Sequence, residues 1–513
     1  MFVVTEENRR WWTVVTMALP VIILTIDFFG VSVALPSIGR ELGGSTSSLA
    51  WVINAFMLGL AGVLVVGGRL GDLVGRRKML LAGVVLFLGG SIVCGIAQSE
   101  AVLIAGRALQ GVAAAFTYSN SLSIVSNAFS ADQRGIGIGL WIGIGAVGSA
   151  IGPFVGGLLT EELSWRWFFY VNVPFGAVAV AMTLLVVQES RDEGAPPSID
   201  WIGCLLAITG CVLLVMGLEF TARLGWDSSL VWAVLGGAVV VLIGFVIAET
   251  RVKNPLIQFG LFASRDFIGS ALVGVLINFT LGALMLFLTL YLQHVGDLSP
   301  LKTGFVFLAF SLVLAGMSTA TGYIGAAWGA RQAIALGMAL NCASFAILVF
   351  GGTAVAVVLV VLALVLGGAG QALAYNTSTA VAMGTVPSDK AGAASGVIGS
   401  IRILAVAVGV AVTTAVFKAV ETNRLAALIG EAGGTATAAD IREATAVVSG
   451  SDASAAALAK MSPAAAQHIT VIVDQAFVSG FGVVMTICAG LSAAGIVAAF
   501  LIRRSYSGPT ETV

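Results

Sequence analysis

Apolar runs of roughly twenty residues or more recur along the chain from Trp11 to Leu501, separated by short polar or Gly/Pro-rich breaks. A helix needs about 20 mostly apolar residues to cross the hydrocarbon core, whereas barrel strands read as stretches of about ten residues with alternating polarity. These runs are helical in length and do not alternate. They predict an all-α polytopic membrane protein with about fourteen transmembrane helices, at 12–37, 47–69, 78–97, 100–125, 135–160, 165–188, 200–220, 228–249, 265–293, 299–325, 331–351, 354–384, 391–421 and 473–502.

One interval departs from this rhythm. Residues 422–472 are rich in Ala, Ser and Thr, and Ser462 before Pro463 reads as a helix cap with proline at the first helical position. Short helices outside the bilayer and a flexible linker are both compatible with that composition.

The two halves of the chain repeat one another. "GRLGDLVGRR" from Gly68 aligns without gaps with "GYIGAAWGAR" from Gly322, matching three glycines and placing Arg77 on Arg331 at an offset of 254. "FSADQRGIGIG" from Phe129 aligns with "VPSDKAGAASG" from Val386 at an offset of 257, with Asp132 on Asp389. Parallel repeats about the membrane normal are one way in which transporters build alternating access around a midplane site. Six helices per half would give a smaller offset, so the spans near 200–249 read as an insertion. The predicted organisation is a six-helix bundle at 1–190, two inserted helices with their flanks at 191–264, and a second six-helix bundle at 265–513 that includes the outer segment 422–472.

Composition sharpens this picture. Hydrophobic residues make up 58% of the chain, charged residues 10%, and the mean hydropathy is +1.03. A formal net charge of -1 without a basic tract argues against nucleic acid as a partner. With the N-terminus inside, 14 of the 25 Lys and Arg fall in cytoplasmic segments, 7 outside and 4 within spans. Three of those seven, Arg424, Arg442 and Lys460, belong to one long outer segment where the positive-inside rule has little force. This predicts a multi-pass protein of the cell membrane with both termini cytoplasmic, and "MFVVTEENRRWW" leads into the first span without a cleavable signal. All five cysteines lie in apolar runs and His294 and His468 are far apart, so no disulfide framework, metal site, cofactor or catalytic histidine is expected.

Against this apolar background a few charges stand out. In "GGRLGDLVGRRKMLL", the basic residues Arg76, Arg77 and Lys78 are explained by topology alone. The glycines Gly68, Gly71 and Gly75 permit close helix approach and a tight turn, and Asp72 is suited to accept hydrogen bonds from a helix N-terminus or an arginine across a bundle interface. Such a latch would hold one conformation and release in another. It belongs to the first half only, because Asp72 and Arg76 become Ala326 and Ala330 in the repeat. Asp27 reads as the only carboxylate well inside a predicted span, where an acid costs about 2.5–3.5 kcal/mol and must face a cavity or a partner. Burial favours its neutral form and a nearby arginine its charged form, so such a group can take up and release a proton as its exposure changes. A structural ion pair is the plainer alternative. Arg107 in the fourth span and Arg402 in the thirteenth are the isolated buried cations, with Arg402 read as a packing-stabilised one. The fifth span places Gly135, Gly139 and Gly143, then Gly148, Gly152 and Gly156, at four-residue spacing around Pro153. That pattern gives close packing or a flexible seam. Phe28, Trp51, Asn54, Gln110, Tyr118, Asn120, Asn278, Tyr375, Asn376 and Arg402 are the candidate cavity-lining groups, although polar helix contacts carry the same signature.

These motifs resemble a known family over nearly the whole chain. "GRLGDLVGRRK" resembles the signature loop of the major facilitator superfamily, and "LIAGRALQGVAAA", with Arg107, Gln110 and Gly111, resembles its fourth-helix motif. "GAVGSAIGPFVGG" is similar to the fifth-helix motif of the antiporters. "IDFFGVSVALP", "SWRWFFYVNVPFG", "NPLIQFGLFASRDF" and "VPSDKAGAASGVIGSIRILAVAVGVAV" narrow the likeness to the 14-helix drug:proton antiporter branch, the EmrB/QacA type. The sequence departs from that pattern at Phe28, Phe29 and Ser32 in the first helix and at Asp297 before "LSP", and no further carboxylate is read deep in the second half.

The resemblance implies a proton-driven exporter working by alternating access, with Asp27 and Arg107 in proton coupling, Gly68, Asp72, Gly75 and Arg76 in the latch, and Gly148, Gly152, Pro153 and Gly156 in the antiporter helix. Its expected partners are protons, the bilayer and a small lipophilic compound, with cations among the candidates. Export of a lipid or endogenous metabolite is the alternative. A membrane-embedded transferase would need clustered titratable residues at a membrane face, and the sequence offers none.

Overall fold

The computed structural model describes residues 8–43, 45–129, 133–191, 200–252, 259–350, 356–386, 391–431 and 463–503. Among them, fourteen helical segments are long and apolar enough to cross a membrane. The first half is built from α1 (Arg9–Leu42), α2 (Thr46–Val74), α3 (Arg76–Gly95), α4 (Glu100–Ala128), α5 (Arg134–Glu162), and a sixth span divided into α6 (Trp165–Tyr170) and α7 (Asn172–Val186). Then come α8 (Trp201–Leu224) and α9 (Ser229–Glu249). The second half holds α10 (Arg265–Leu290), α11 (Pro300–Trp328), α12 (Ala330–Val349), α13 (Val357–Gly384), α14 (Ala391–Glu431) and α15 (Pro463–Ala499). An even number of spans brings both ends of the chain to one face of the protein, the terminal face.

Local chemistry sets many of these boundaries. The side chains of Ser45, Ser99, Ser164, Asp200, Ser264 and Ser299 each accept a hydrogen bond from a backbone N–H in the first turn of the helix that follows. Pro300 then opens α11, where a missing N–H costs nothing. The repeat is visible in the backbone: Gly75 and Gly329, aligned by the offset of 254, take φ of 130° and 90° at the corners between α2 and α3 and between α11 and α12. Two helices outrun the hydropathy pattern. α14 continues to Glu431 rather than 421, and α15 starts at Pro463 rather than 473. Asp132, Asp389 and residues 432–462, most of the Ala/Ser/Thr-rich interval, lie outside the described residues.

Packing follows the same division. In the first half α1 lies on α5, and α4 on α2 and α3; in the second, α12 lies on α13 and α15, and α10 on α14. Helices α8 and α9 pair with each other, and α8 also lies against α2 and α14. The outer surface of α9 stays apolar and exposed at Val239, Val240, Ile243 and Val246, as a lipid-facing helix must. Two seams join the halves, α5 with α11 and α2 with α14, and among the described residues no packing of that extent joins α4 to α13.

Candidate functional site

Asp27 and Arg107 find each other. Both are 0% exposed, and Asp27 Oδ2 accepts from Arg107 Nη1 between α1 and α4. The guanidinium is held on its other sides: Nε donates to the Val52 carbonyl at 3.0 Å, Nη1 also to Gln110 Oε1 at 2.9 Å, and Cζ lies 4.4 Å from the centre of the Phe56 ring. A buried ion pair is tolerable only when its remaining hydrogen-bonding capacity is met. Here Asp27 Oδ1 lies within reach of Gln110 Nε2 (3.4 Å) and Asn172 Nδ2 (3.3 Å), and both amides also donate to Ser91 Oγ, at 2.8 and 3.3 Å. Asn172 reaches this point because the sixth span breaks at Val171, so that Asn172 opens α7 and Pro174 lies in its first turn. A proline near a helix start lacks an N–H that would have no partner anyway.

The glycine-rich α5 works on two sides. A Cβ at Gly148 would strike the Thr25 hydroxyl, and one at Gly156 would strike the Gly30 carbonyl, so these glycines let α5 press onto α1 within one half. The face turned to the other half is different. There the Pro153 carbonyl lies 2.5 Å from where a Gly304 Cβ would sit, Gly157 abuts Pro300, and the rings of Phe154 and Phe305 pack at 5.0 Å. Glu161 Oε2 accepts from the Leu301 N–H at 2.8 Å, fastening the C-terminal end of α5 to the start of α11.

Residues 17–410 match the sequence profile of the Major Facilitator Superfamily. The chain belongs to that family. It is 35% identical over 408 residues to the multidrug resistance protein Stp of Mycobacterium tuberculosis, covering 79% of this chain and 76% of that one. It is 28% identical over 502 residues to the tetracenomycin C resistance and export protein of Streptomyces glaucescens, covering 97% and 93%. Among solved structures it superposes on an inward-facing, unoccupied bacterial homologue of the human lysosomal transporter Spinster with a TM-score of 0.66 at 15% identity, over 98% of this chain and 100% of that one.

The signature loop of this major facilitator protein is arranged within one half. Asp72 accepts from Arg76 at 2.8 and 3.0 Å, one helical turn away, rather than from a group across the interface. The carboxylate at the N-terminus of α3 is Glu189, which follows α7 and accepts from the backbone N–H groups of Arg77 and Lys78 at 3.0 and 3.3 Å. A Cβ at Gly75 would lie 2.6 Å from that carboxyl, and one at Gly68 would meet Ser119 at 3.6 Å.

The remaining polar candidates divide. Gln110 belongs to the Asp27 network, Asn120 donates to the Gly67 and Phe116 carbonyls, and Asn278 donates to Gly274 in its own helix. Tyr118 is 36% exposed at span depth; Phe28, Trp51, Tyr375 and Asn376 are half-buried. Asp27 is not alone as a buried acid. Because α8 runs on to Leu224, Glu219 lies inside it, 1% exposed, accepting from Asn54 Nδ2 at 3.4 Å. Because α14 runs past 421, Glu421 is likewise buried in the second half, paired with Lys418 at 2.7 Å. Ser91, Asn172, Glu189 and Glu219 escaped sequence reasoning; only the Asn two residues before Pro174 and the acid in "MGLEF" left a trace there.

Proposed function

We propose that this protein exports lipophilic, drug-like compounds across the cell membrane in exchange for protons, with the terminal face cytoplasmic. The observation that carries the reading is the fully buried Asp27–Arg107 pair. An ionisable pair inside a bilayer marks a proton or substrate path by default, and the resistance and export functions named for the relatives fit it. In this reading α1–α7 and α10–α15 rock about the α5–α11 and α2–α14 seams. The Glu161–Leu301 fastening closes the outer side, and the cleft between α4 and α13 faces the cytoplasm. Asp72, engaged only within its own half, is the released form of the latch.

Coupling then follows from charge. When the outer side opens, a proton on Asp27 cancels its attraction for Arg107, and the guanidinium keeps Val52, Gln110 and Phe56 as partners. Substrate leaves to the outside. After reversal, release of the proton to the cytoplasm restores the ion pair. Full burial of both groups keeps water from the pair in this conformation, as a coupled rather than leaking proton path requires. The test is a pH-sensitive dye inside proteoliposomes: adding a lipophilic drug should elicit proton movement in the direction opposite to the drug. Substrate movement without proton movement would refute the coupling, and movement elicited only by a phospholipid would point to lipid export instead.

A further inference from the structure

The second half of the chain buries a cation that this proton cycle leaves unused. Arg402 on α14 is 3% exposed. Its Nη2 donates to Ser378 Oγ at 3.0 Å, its Nη1 to the Thr379 hydroxyl, and its Cζ lies 4.6 Å from the centre of the Tyr375 ring. Nε has no acceptor and fills the space that a side chain at Gly274 of α10 would take. Among the described residues no carboxylate forms an ion pair with Arg402, in contrast to Arg107 with Asp27.

A guanidinium is permanently charged and offers a planar fork that matches the two oxygens of a carboxylate. Hydroxyls and a ring face satisfy part of its hydrogen bonding without neutralising it, and a buried charge without a counter-ion is strongly unfavourable. The place is also informative. Tyr375, Asn376 and Thr379 are half-exposed on α13, with the Tyr375 ring between Arg402 and the exposed face of that helix. Arg402 therefore lies one ring deep, behind the partly exposed Tyr375.

We propose that Arg402, uncovered by a swing of Tyr375, binds the acidic group of an aromatic carboxylate while the Tyr375 ring packs on that of the ligand. This deepens the export reading and rests on it: the compounds exported include lipophilic acids, with the missing counter-charge supplied by the cargo. A purely structural Arg402, tying α14 to α13, would show no preference between cargo charges.

The probes are radiolabelled 2-naphthoate and 2-naphthylmethylammonium, matched in ring and opposite in charge, titrated onto the whole protein in nanodiscs. Wild type should bind the naphthoate tighter by about tenfold or more, the scale of one charge-assisted contact. Arg402→Gln should abolish that preference, with ammonium binding kept, and Arg402→Lys should retain part of it. A wild type without preference, or with no binding of naphthoate, overturns the proposal and needs no variant to fold. A preference that survives intact in Arg402→Gln overturns it too. Naphthoate that binds through Arg402 yet is not driven out by a pH gradient supports the site while counting against coupled export.

Discussion

Replacing Asp27 by Asn keeps the size and most of the hydrogen bonding of the side chain but removes the one carboxylate that, among the described residues, pairs with Arg107. The guanidinium would remain 0% exposed, with the Val52 carbonyl, Gln110 and the Phe56 face as its partners. Removing one member of a buried pair costs about 3–5 kcal/mol, because the survivor is an uncompensated buried ion. The retained contacts include a cation–π interaction of about 0.5–2 kcal/mol, which places the expected loss near the lower end, about 3 kcal/mol. Asp27→Asn combined with Arg107→Gln should recover most of that loss, since both charges are then gone. The assay is equilibrium unfolding in detergent followed by tryptophan fluorescence, alongside efflux from proteoliposomes under an imposed pH gradient. Efflux should fail in both variants and stability should fall only in the single one. A single variant as stable as wild type, or a double variant no more stable than the single, would refute the buried-pair argument. Wild-type efflux with unchanged pH dependence in Asp27→Asn would remove Asp27 from coupling.

Three further outcomes are expected. Asp72→Asn should slow transport and shift the balance of the two open states while the protein stays folded; unchanged transport at normal expression would reduce the loop to a topological signal. Ser451→Cys in a background without the native cysteines should react with an impermeant thiol reagent added outside intact cells, and labelling only after permeabilisation would contradict the proposed orientation. Gly157→Val should drive its side chain into Pro300, cost about 1–3 kcal/mol by overpacking and loosen the outer α5–α11 seam. Spin labels at the outer ends of those helices would report the separation, and an unaltered distance distribution would show that the seam tolerates the change.

What the sequence by itself determined was whatever depends on local order. Span number, the corner glycine Gly75 with its repeat partner Gly329, and the placing of Asp27 and Arg107 at span depth all follow from hydropathy, turn chemistry and the cost of charge in hydrocarbon, which neighbouring residues set. The tertiary structure decided partnership. Asp27 and Arg107 are 80 positions apart and Asn172 a further 65, so only the packing of α1, α4 and α7 brings them within hydrogen-bonding distance. Spacing marked the glycines of α5 as a close-packing face, but periodicity carries no information about which helix lies opposite. The structure turned Gly148 and Gly156 to α1 and gave Pro153 and Gly157 to α11. Glu219 and Glu421 looked like helix-end residues because hydropathy averages over a window, and a single buried acid near a span's end lowers that average as an exposed one would. Whether such a group meets water or a partner is settled by the neighbouring helix, here Asn54 on α2 for Glu219 and Lys418 on the same α14 turn for Glu421.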